Sequence, residues 1–267
     1  MIDLIPKKKF GQNFLINEGV QLKVIDALSS LLITNSNPII EIGPGKGHIT
    51  KLLLELGRPL IALEIDPEAI EYLQQTQLVT ETKNLTLIQA DALQLFGNSE
   101  VPIVDFVLFS SLPYNVGSRI LIETAVNYPQ NPFCVIIQKE VANKVLSGRS
   151  SLTFFGAYLN LFWTIKKPID IAPGNFDPVP KVWSSVLVAT PKTLPEYLDT
   201  TTKRSKAKEI IKRLFASPNK TLANNLRAYG WSLEKIENFL RSRSLVPTTR
   251  IDWTNYEFLI REIVSII

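Results

Sequence analysis

Short apolar runs alternate with helical patterns along the first half of the chain, and this alternation restricts the possible folds more than any other feature. The runs are PIIEIG (38–43), PLIALEI (59–65), NLTLIQA (84–90), IVDFVLF (103–109) and FCVIIQ (133–138), with helical patterns at 49–56, 67–75 and 117–128. Strands that alternate with helices predict β-α-β units and a parallel sheet. Because the runs are almost continuously apolar, the strands should be buried on both faces.

The pattern changes after residue 150. LNLFWTI (159–165) and VWSSVLV (182–188) predict two late strands on either side of a proline-containing loop, and antiparallel additions to parallel sheets are common. Beyond residue 190 only helical patterns remain, with helix starts predicted at Ser217-Pro218 and at Thr254. We therefore predict an α/β domain over 1–190, with a Rossmann-like sheet covered by helices on both faces. A small all-helical domain should follow over 191–267.

Composition predicts a cytoplasmic protein with no membrane segment. Hydrophobic residues make up 45% of the chain, yet no apolar run reaches the length of a bilayer span, and the start lacks a secretory signal. The one cysteine, Cys134, lies inside an apolar run, as a buried and unreactive thiol would. Neither Cys134 nor the one histidine, His48, suggests a metal site.

Positive charge is concentrated near the end of the chain. Residues 203–250 contain twelve Lys or Arg and three Glu, a net charge of +9, whereas the whole chain carries +4. Contacts to phosphates dominate nucleic-acid affinity, so this segment indicates a surface for a polyanion. A solvated helical surface is the alternative interpretation.

The loop EIGPGKG (41–47) ends the first apolar run and opens a helix. Its glycines, which include Gly43 and Gly45, allow a tight turn and a close approach of the backbone to a nucleotide-like cofactor. Glu64 ends the second run, where a carboxylate can accept hydrogen bonds from ribose hydroxyls. Asp91 ends the third and is placed to bind an adenine amino group, while Asp66, just before Pro67, predicts a helix N-cap.

A dinucleotide-dependent dehydrogenase is the first alternative for such a loop. The dinucleotide fingerprint requires its third glycine at position 48, where this chain has His48. The chain has no other histidine to serve hydride transfer. The loop therefore favours a different nucleotide-like cofactor.

The segment SSLPYN (110–115) follows the fourth run and carries the chemistry that distinguishes the alternatives. Pro113 restrains the loop and biases Leu112 to an extended conformation, which leaves the carbonyls of both residues as predicted acceptors. The ring of Tyr114 can stack on a base that has been flipped out of a nucleic acid. Beside a cofactor loop, this combination predicts chemistry on a nucleobase.

The chain resembles the ribosomal RNA adenine N6-dimethyltransferases, which modify adenines of small-subunit RNA. The motifs that carry the resemblance are KKKFGQNFL (7–15), EIGPGKG (41–47), LEID (63–66), QAD (89–91), SLPYN (111–115), QKEVANKVL (138–146) and FDPVPKVWSSV (176–186). They occur in the same order between residues 7 and 186, and the resemblance itself runs across nearly the whole chain.

The resemblance implies a Rossmann-like methyltransferase fold, S-adenosylmethionine as cofactor and immature 30S particles as partner, with the protein acting as a monomer. It assigns the cofactor and target site to Asn13, Leu15, Gly43, Gly45, Glu64, Asp91 and Ser111. The implied catalytic loop is Ser111, Leu112, Pro113 and Tyr114, with Phe176 approaching the target base.

One departure from the family pattern lies at the reacting atoms, where Ser111 replaces an asparagine. A serine hydroxyl can also accept a hydrogen bond from the target amine. Two alternatives stay open: a ribosome-assembly factor with little or no methylation, and a methylase of large-subunit RNA.

Overall fold

The structure is a computed structural model that describes residues 4–7, 10–33, 36–80, 82–146, 153–217, 219–252 and 255–265. The chain divides into two compact units. The first consists of Met1–Asn143 with Phe162–Lys192, and the second of Lys144–Leu161 with Thr193–Ile267.

The strands are β1 (Phe14–Leu15), β2 (Ile39–Ile42), β3 (Leu60–Glu64), β4 (Leu85–Gln89), β5 (Val107–Ser111), β6 (Phe133–Gln138), β7 (Trp163–Ile171), β8 (Phe176–Asp177) and β9 (Ser184–Pro191). The helices are α1 (Glu18–Leu32), α2 (His48–Leu54), α3 (Pro67–Gln74), α4 (Gln77–Thr80), α5 (Ala92–Gly97), α6 (Gly117–Asn127), α7 (Lys139–Leu146), α8 (Phe154–Phe162), α9 (Thr201–Leu214), α10 (Leu222–Ala228), α11 (Leu233–Ser242) and α12 (Tyr256–Val264).

Seven strands of the described chain form the sheet of the first unit, in the order β4-β3-β2-β5-β6-β9-β7. The strands from β4 to β6 run parallel to one another, and β9 lies antiparallel to both β6 and β7. All four residues of β2 are buried, as the apolar run predicted. The α/β prediction is therefore confirmed. β4, at the edge of the sheet, has no buried residue, so the prediction of burial on both faces was wrong for this strand.

Strand order reverses at β2, which lies between β3 on one side and β5 on the other. The loops that leave β2 and β5 therefore diverge at the carboxyl edge of the sheet. Such a topological switch point is where α/β sheets bind their ligands. The glycine loop and the SLPYN segment both lie at this point.

The late part of the sheet differs from the prediction at one strand. The predicted strand LNLFWTI is half helix, because α8 continues to Phe162 and β7 begins at Trp163. Apolar residues occupy the helix and the start of the strand alike, so hydrophobicity gives no boundary between them. The second late strand, β9, forms as predicted.

The second unit is helical beyond residue 193 in the part of it that the structure describes. α9 packs against α10 and α12, burying Ile210, Ile211, Leu259 and Ile263. Thr221 caps α10, so this helix begins at Leu222 and not at the predicted Ser217-Pro218. Pro218 and Thr254 lie outside the described residues, as do Lys8 and Lys9 of the first motif.

Trp163 is the largest fully buried side chain, and it offers a test of the fold. Its indole N–H donates to the Asn131 carbonyl at 2.9 Å, and its ring lies edge-on to Phe133. Trp163→Ala should lower the free energy of unfolding by about 3 to 5 kcal/mol. Trp183, which is 49% exposed, is the matched control, and Trp183→Ala should cost less than about 1 kcal/mol. Urea unfolding measures both, and equal losses would contradict this packing.

Candidate active site

The glycine loop joins β2 to α2 and forms one wall of a cavity. Gly43 and Gly45 have φ values of +72° and +56°, in the left-handed region that favours glycine. A side chain at Gly45 would overlap the ring of Phe14, whereas one at Gly43 would meet no atom within 4 Å. The loop therefore needs glycine for its backbone shape at both positions and for close contact at Gly45.

A cavity of about 310 Å³ opens at the carboxyl edge of the sheet in the first unit. Eight of the predicted site residues line it: Asn13, Leu15, Gly43, Gly45, Glu64, Asp91, Ser111 and Pro113. Leu112, Tyr114 and Phe176 do not line it. Residues distant in sequence thus meet at one site, and three of the predicted set are not part of its lining.

Glu64 links the glycine loop to the end of β3. Its Oε1 accepts the N–H groups of Ile65 at 2.9 Å and Asp66 at 3.0 Å, and its Oε2 accepts the N–H of Gly45 at 3.2 Å. Burial raises the pKa of the Glu64 carboxyl, while these amide donors work in the opposite direction. Oε2 can accept a further hydrogen bond, because a carboxylate oxygen has two lone pairs.

Two aspartates begin helices beside the cavity. Asp91 Oδ1 accepts the N–H of Leu93 at 2.8 Å and caps α5, so this side chain serves the helix as well as lining the cavity. Asp66 caps α3, which confirms the N-cap prediction.

Asp66 also anchors the N-terminal segment. Lys7 Nζ lies 2.7 Å from Asp66 Oδ1, and the Gln12 amide donates to Oδ2 at 3.1 Å. Burial alone would raise the pKa of Asp66, but the bonds from Lys7 and Gln12 outweigh burial and hold it below its usual value. Gln12 itself lines the cavity, so this anchor fixes one of the cavity walls.

Phe176 lies in the core and not at the cavity. β8 pairs antiparallel with β1, with Phe176 opposite Leu15, and the Phe176 side chain is 2% exposed among buried residues of α1 and β9. The structure does not bring this ring to the place where the resemblance put it. Sequence patterns did not reveal the two-residue pairing that buries it.

The SLPYN loop begins at the last residue of β5. Ser111 lines the cavity, and the Leu112 N–H donates to the Ile136 carbonyl at 3.0 Å. The Pro113 carbonyl accepts the N–H groups of Val116 at 3.2 Å and Gly117 at 2.8 Å, so the prediction that it is free was wrong. No donor among the described residues reaches the Leu112 carbonyl, which remains available as predicted.

Tyr114 is fixed by its hydroxyl. The Tyr114 and Ser184 hydroxyl oxygens are 2.6 Å apart, which ties the loop to the start of β9. Burial raises the pKa of Tyr114, so the phenol stays protonated at neutral pH. The ring is half-buried beside the cavity and outside its lining.

Glu41 is a site residue that the sequence analysis missed. It is 3% exposed in β2 and lines the cavity. Its Oε2 and the neighbouring Thr50 Oγ1 find no hydrogen-bond partner among the described residues. Burial raises the pKa of Glu41 to about 8, and the nearby Glu64 carboxylate adds to the shift. An acidic residue inside the apolar strand IIEI was the available signal.

The lining suits a ligand with polar groups and a positive charge, because the carboxyl groups of Glu64 and Asp91 belong to it. Glu41, whose raised pKa keeps it mostly protonated at neutral pH, has a buried oxygen without a hydrogen-bond partner among the described residues. Buried polar atoms are ordinarily satisfied, so this oxygen marks a position for a polar group of a ligand. Lys46 at the glycine loop offers a counter-charge for a carboxylate.

Glu41→Gln tests the charge state of this site through stability. The pKa of about 8 exceeds the ordinary value of 4.5, so the native state binds more protons between these values and wild-type stability falls as pH rises. Between about pH 5.5 and pH 7.5 the wild type should lose up to about 2.5 kcal/mol relative to Glu41→Gln. Urea unfolding at both pH values measures this, with the exposed Glu55→Gln as control. If the difference in unfolding free energy between wild type and Glu41→Gln is the same at both pH values, the raised pKa assigned to Glu41 is contradicted.

Comparisons with known proteins show similarity over almost the whole chain. The "Ribosomal RNA adenine dimethylase" family matches residues 5–264. "Ribosomal RNA small subunit methyltransferase A" of Malacoplasma penetrans is 31% identical over 247 residues, covering 91% of this chain and 85% of the relative. The protein of the same name from Bdellovibrio bacteriovorus is 34% identical over 225 residues, covering 82% and 76%.

Solved structures share the fold. A dimethyladenosine transferase from Plasmodium falciparum has a TM-score of 0.68 at 22% identity, covering 94% of this chain and 89% of that one. The 23S rRNA methyltransferase ErmE has a TM-score of 0.66 at 19% identity, covering 94% and 98%. With a family match across almost the whole sequence, this chain belongs to the ribosomal RNA adenine dimethylase family.

Proposed function

We propose that this protein uses S-adenosylmethionine to methylate the N6 amino group of adenines in small-subunit ribosomal RNA. The observation that carries the proposal is that Ser111 lines a cavity together with Glu41, Glu64 and Asp91, and that the carbonyl of the next residue, Leu112, accepts no hydrogen bond from a described residue. Family membership supports the same reaction.

The carboxylates would hold the cofactor. Glu64 Oε2 has a lone pair for a ribose hydroxyl, and Asp91 Oδ2 is the oxygen left after Oδ1 caps α5. When bound, S-adenosylmethionine supplies an electrophilic methyl group on a sulfonium. The acidic lining favours that cationic ligand by charge complementarity.

The acceptors at the end of β5 would orient the target amine. The lone pair of an adenine amino group is delocalised into the ring. The amine is therefore planar with the base and a weak nucleophile. Hydrogen bonds from its two N–H groups to Ser111 Oγ and the Leu112 carbonyl would hold the nitrogen with its lone pair toward the methyl group. Positioning and fixed dipoles then supply most of the rate. The nitrogen becomes strongly acidic on attack, so no strong base is needed.

Tyr114 is proposed to stack on the flipped base. Its hydroxyl bond to Ser184 fixes the ring position before substrate arrives, which lowers the ordering cost of binding. The Phe176 side chain is 2% exposed, and no contact with the base is proposed for it.

Residues 191–267 are proposed to bind the RNA of immature 30S particles, with the protein acting as a cytoplasmic monomer. The support is the net charge of +9 over residues 203–250. Not all of these cations are free for phosphate. Arg204 is 6% exposed, and its guanidinium donates to the Leu198 and Asp199 carbonyls. Among the described helices, none is long and apolar enough to cross a membrane.

Substitutions at Ser111 test the proposed chemistry. Ser111→Ala removes one acceptor and should slow methyl transfer about tenfold to a hundredfold. Ser111→Asn should keep or raise the rate, because the amide oxygen of the longer asparagine side chain can accept the same hydrogen bond. Single-turnover transfer to small-subunit particles at saturating cofactor isolates this step from binding.

Ser29→Ala, on α1 and outside the cavity lining, is the control and should leave the rate unchanged. If Ser111→Ala transfers methyl at the wild-type rate, the Ser111 hydroxyl does not orient the target amine. A wild type that binds cofactor and particle but transfers no methyl would favour the assembly factor.

A further inference from the structure

Trp183 is a large aromatic side chain that the methylation mechanism does not use. It immediately precedes β9 and is 49% exposed. Its neighbours in the same loop, Val179 and Val182, are 65% and 42% exposed. Trp163, in contrast, is completely buried. A half-exposed tryptophan at the start of β9 is available for an external partner.

Strand register places Trp183 at the same edge as the proposed active site. Ser111 pairs with Ile136 across β5 and β6, and Gln138 pairs with Ser184 across β6 and β9. Two strand spacings, about 10 Å, therefore separate the line of β5 from that of β9. The bond from Ser184 to Tyr114 joins the residue after Trp183 directly to the SLPYN loop.

Several contacts hold Trp183 in place. The Lys139 N–H donates to the Trp183 carbonyl at 2.8 Å, and Lys139 Nζ lies 5.0 Å from the centre of the Trp183 ring. Lys139 Nζ is itself 2.8 Å from Asp170 Oδ2, and Ser185 Oγ donates to Asp170 Oδ1 at 2.6 Å. The Lys139 ammonium group thus contacts one face of the Trp183 ring, and the ion pair with Asp170 holds that ammonium group in place.

Lysine side chains lie around Trp183. Both Lys139 and Lys167 contact the carboxylate of Asp170, so two cations share this one acidic group. Lys181, two residues before Trp183, is exposed. An aromatic face beside cations suits a nucleobase and its phosphate better than it suits an apolar protein segment.

We propose that Trp183 is a stacking platform for an unpaired RNA base that neighbours the target adenine. The inference rests on the proposed function, because it takes RNA to be the substrate at the adjacent cavity. Stacking on an aromatic ring tolerates any base, so Trp183 would position the strand and leave the choice of target to the cavity. Trp183 is in this sense a positioning residue.

Fluorescence gives a test that does not depend on methylation. Titration with a single-stranded oligouridine, which contains no adenine, should quench the wild-type tryptophan emission. The chain has four tryptophans, so Trp183→Phe identifies the quenched one, because this variant still stacks but loses the signal. By anisotropy of a labelled oligouridine, Trp183→Ala should bind about fivefold to a hundredfold more weakly, and Trp183→Phe close to wild type.

Val179→Ala, in the same loop, is the matched control and should bind as wild type does. In methyl transfer to small-subunit particles, Trp183→Ala should raise the KM for the particle with little change in kcat. Unchanged oligouridine affinity in Trp183→Ala, or quenching that survives in Trp183→Phe, would overturn the proposal. A wild type that shows Trp183 quenching but transfers no methyl would instead overturn the proposed reaction and leave the platform standing.

Discussion

The hydrogen bonds of the Glu64 carboxylate organise the site. This buried side chain accepts hydrogen bonds from backbone N–H groups of the glycine loop and of the turn after β3. It therefore joins two loops that leave neighbouring parallel strands. Asp66, whose N–H it accepts, in turn anchors Lys7 and Gln12 of the N-terminal segment. Three walls of the cavity are therefore connected through two carboxylates. A change at Glu64 would disturb the shape of the cavity as well as any ligand contact.

Acidic and basic side chains are concentrated in different parts of the chain. Acidic side chains face the cavity in the first unit, where a cationic cofactor is proposed to bind, whereas the cations are concentrated in residues 203–250. Lys139, beside Trp183, follows β6 and lies at the same edge of the sheet as the end of β5. The carboxylates that line the cavity would disfavour the entry of phosphates.

Sequence patterns predicted those parts of the molecule that local physics determines. The buried parallel strands, the glycine loop and the Asp66 cap follow from apolar runs, from the lack of a side chain and from a short carboxylate before a proline. Long-range pairing determines the rest. Phe176 is buried because β8 pairs with β1, and the Pro113 carbonyl is occupied because the chain turns directly into α6. Neither contact leaves a periodic signal.

The α8–β7 junction shows a similar limit, since a continuous apolar run has no internal boundary. Glu41 is different, because its signal was present in the strand IIEI but its meaning depends on burial at the cavity.

Transfer of labelled methyl from S-adenosylmethionine to purified ribosomal subunits that lack adenine methylation tests the proposed activity most directly. The purified protein should place label in N6-methylated adenosine of small-subunit RNA, with little in large-subunit RNA. Label confined to large-subunit RNA, or no label on either subunit from a folded protein that binds the cofactor, would contradict it.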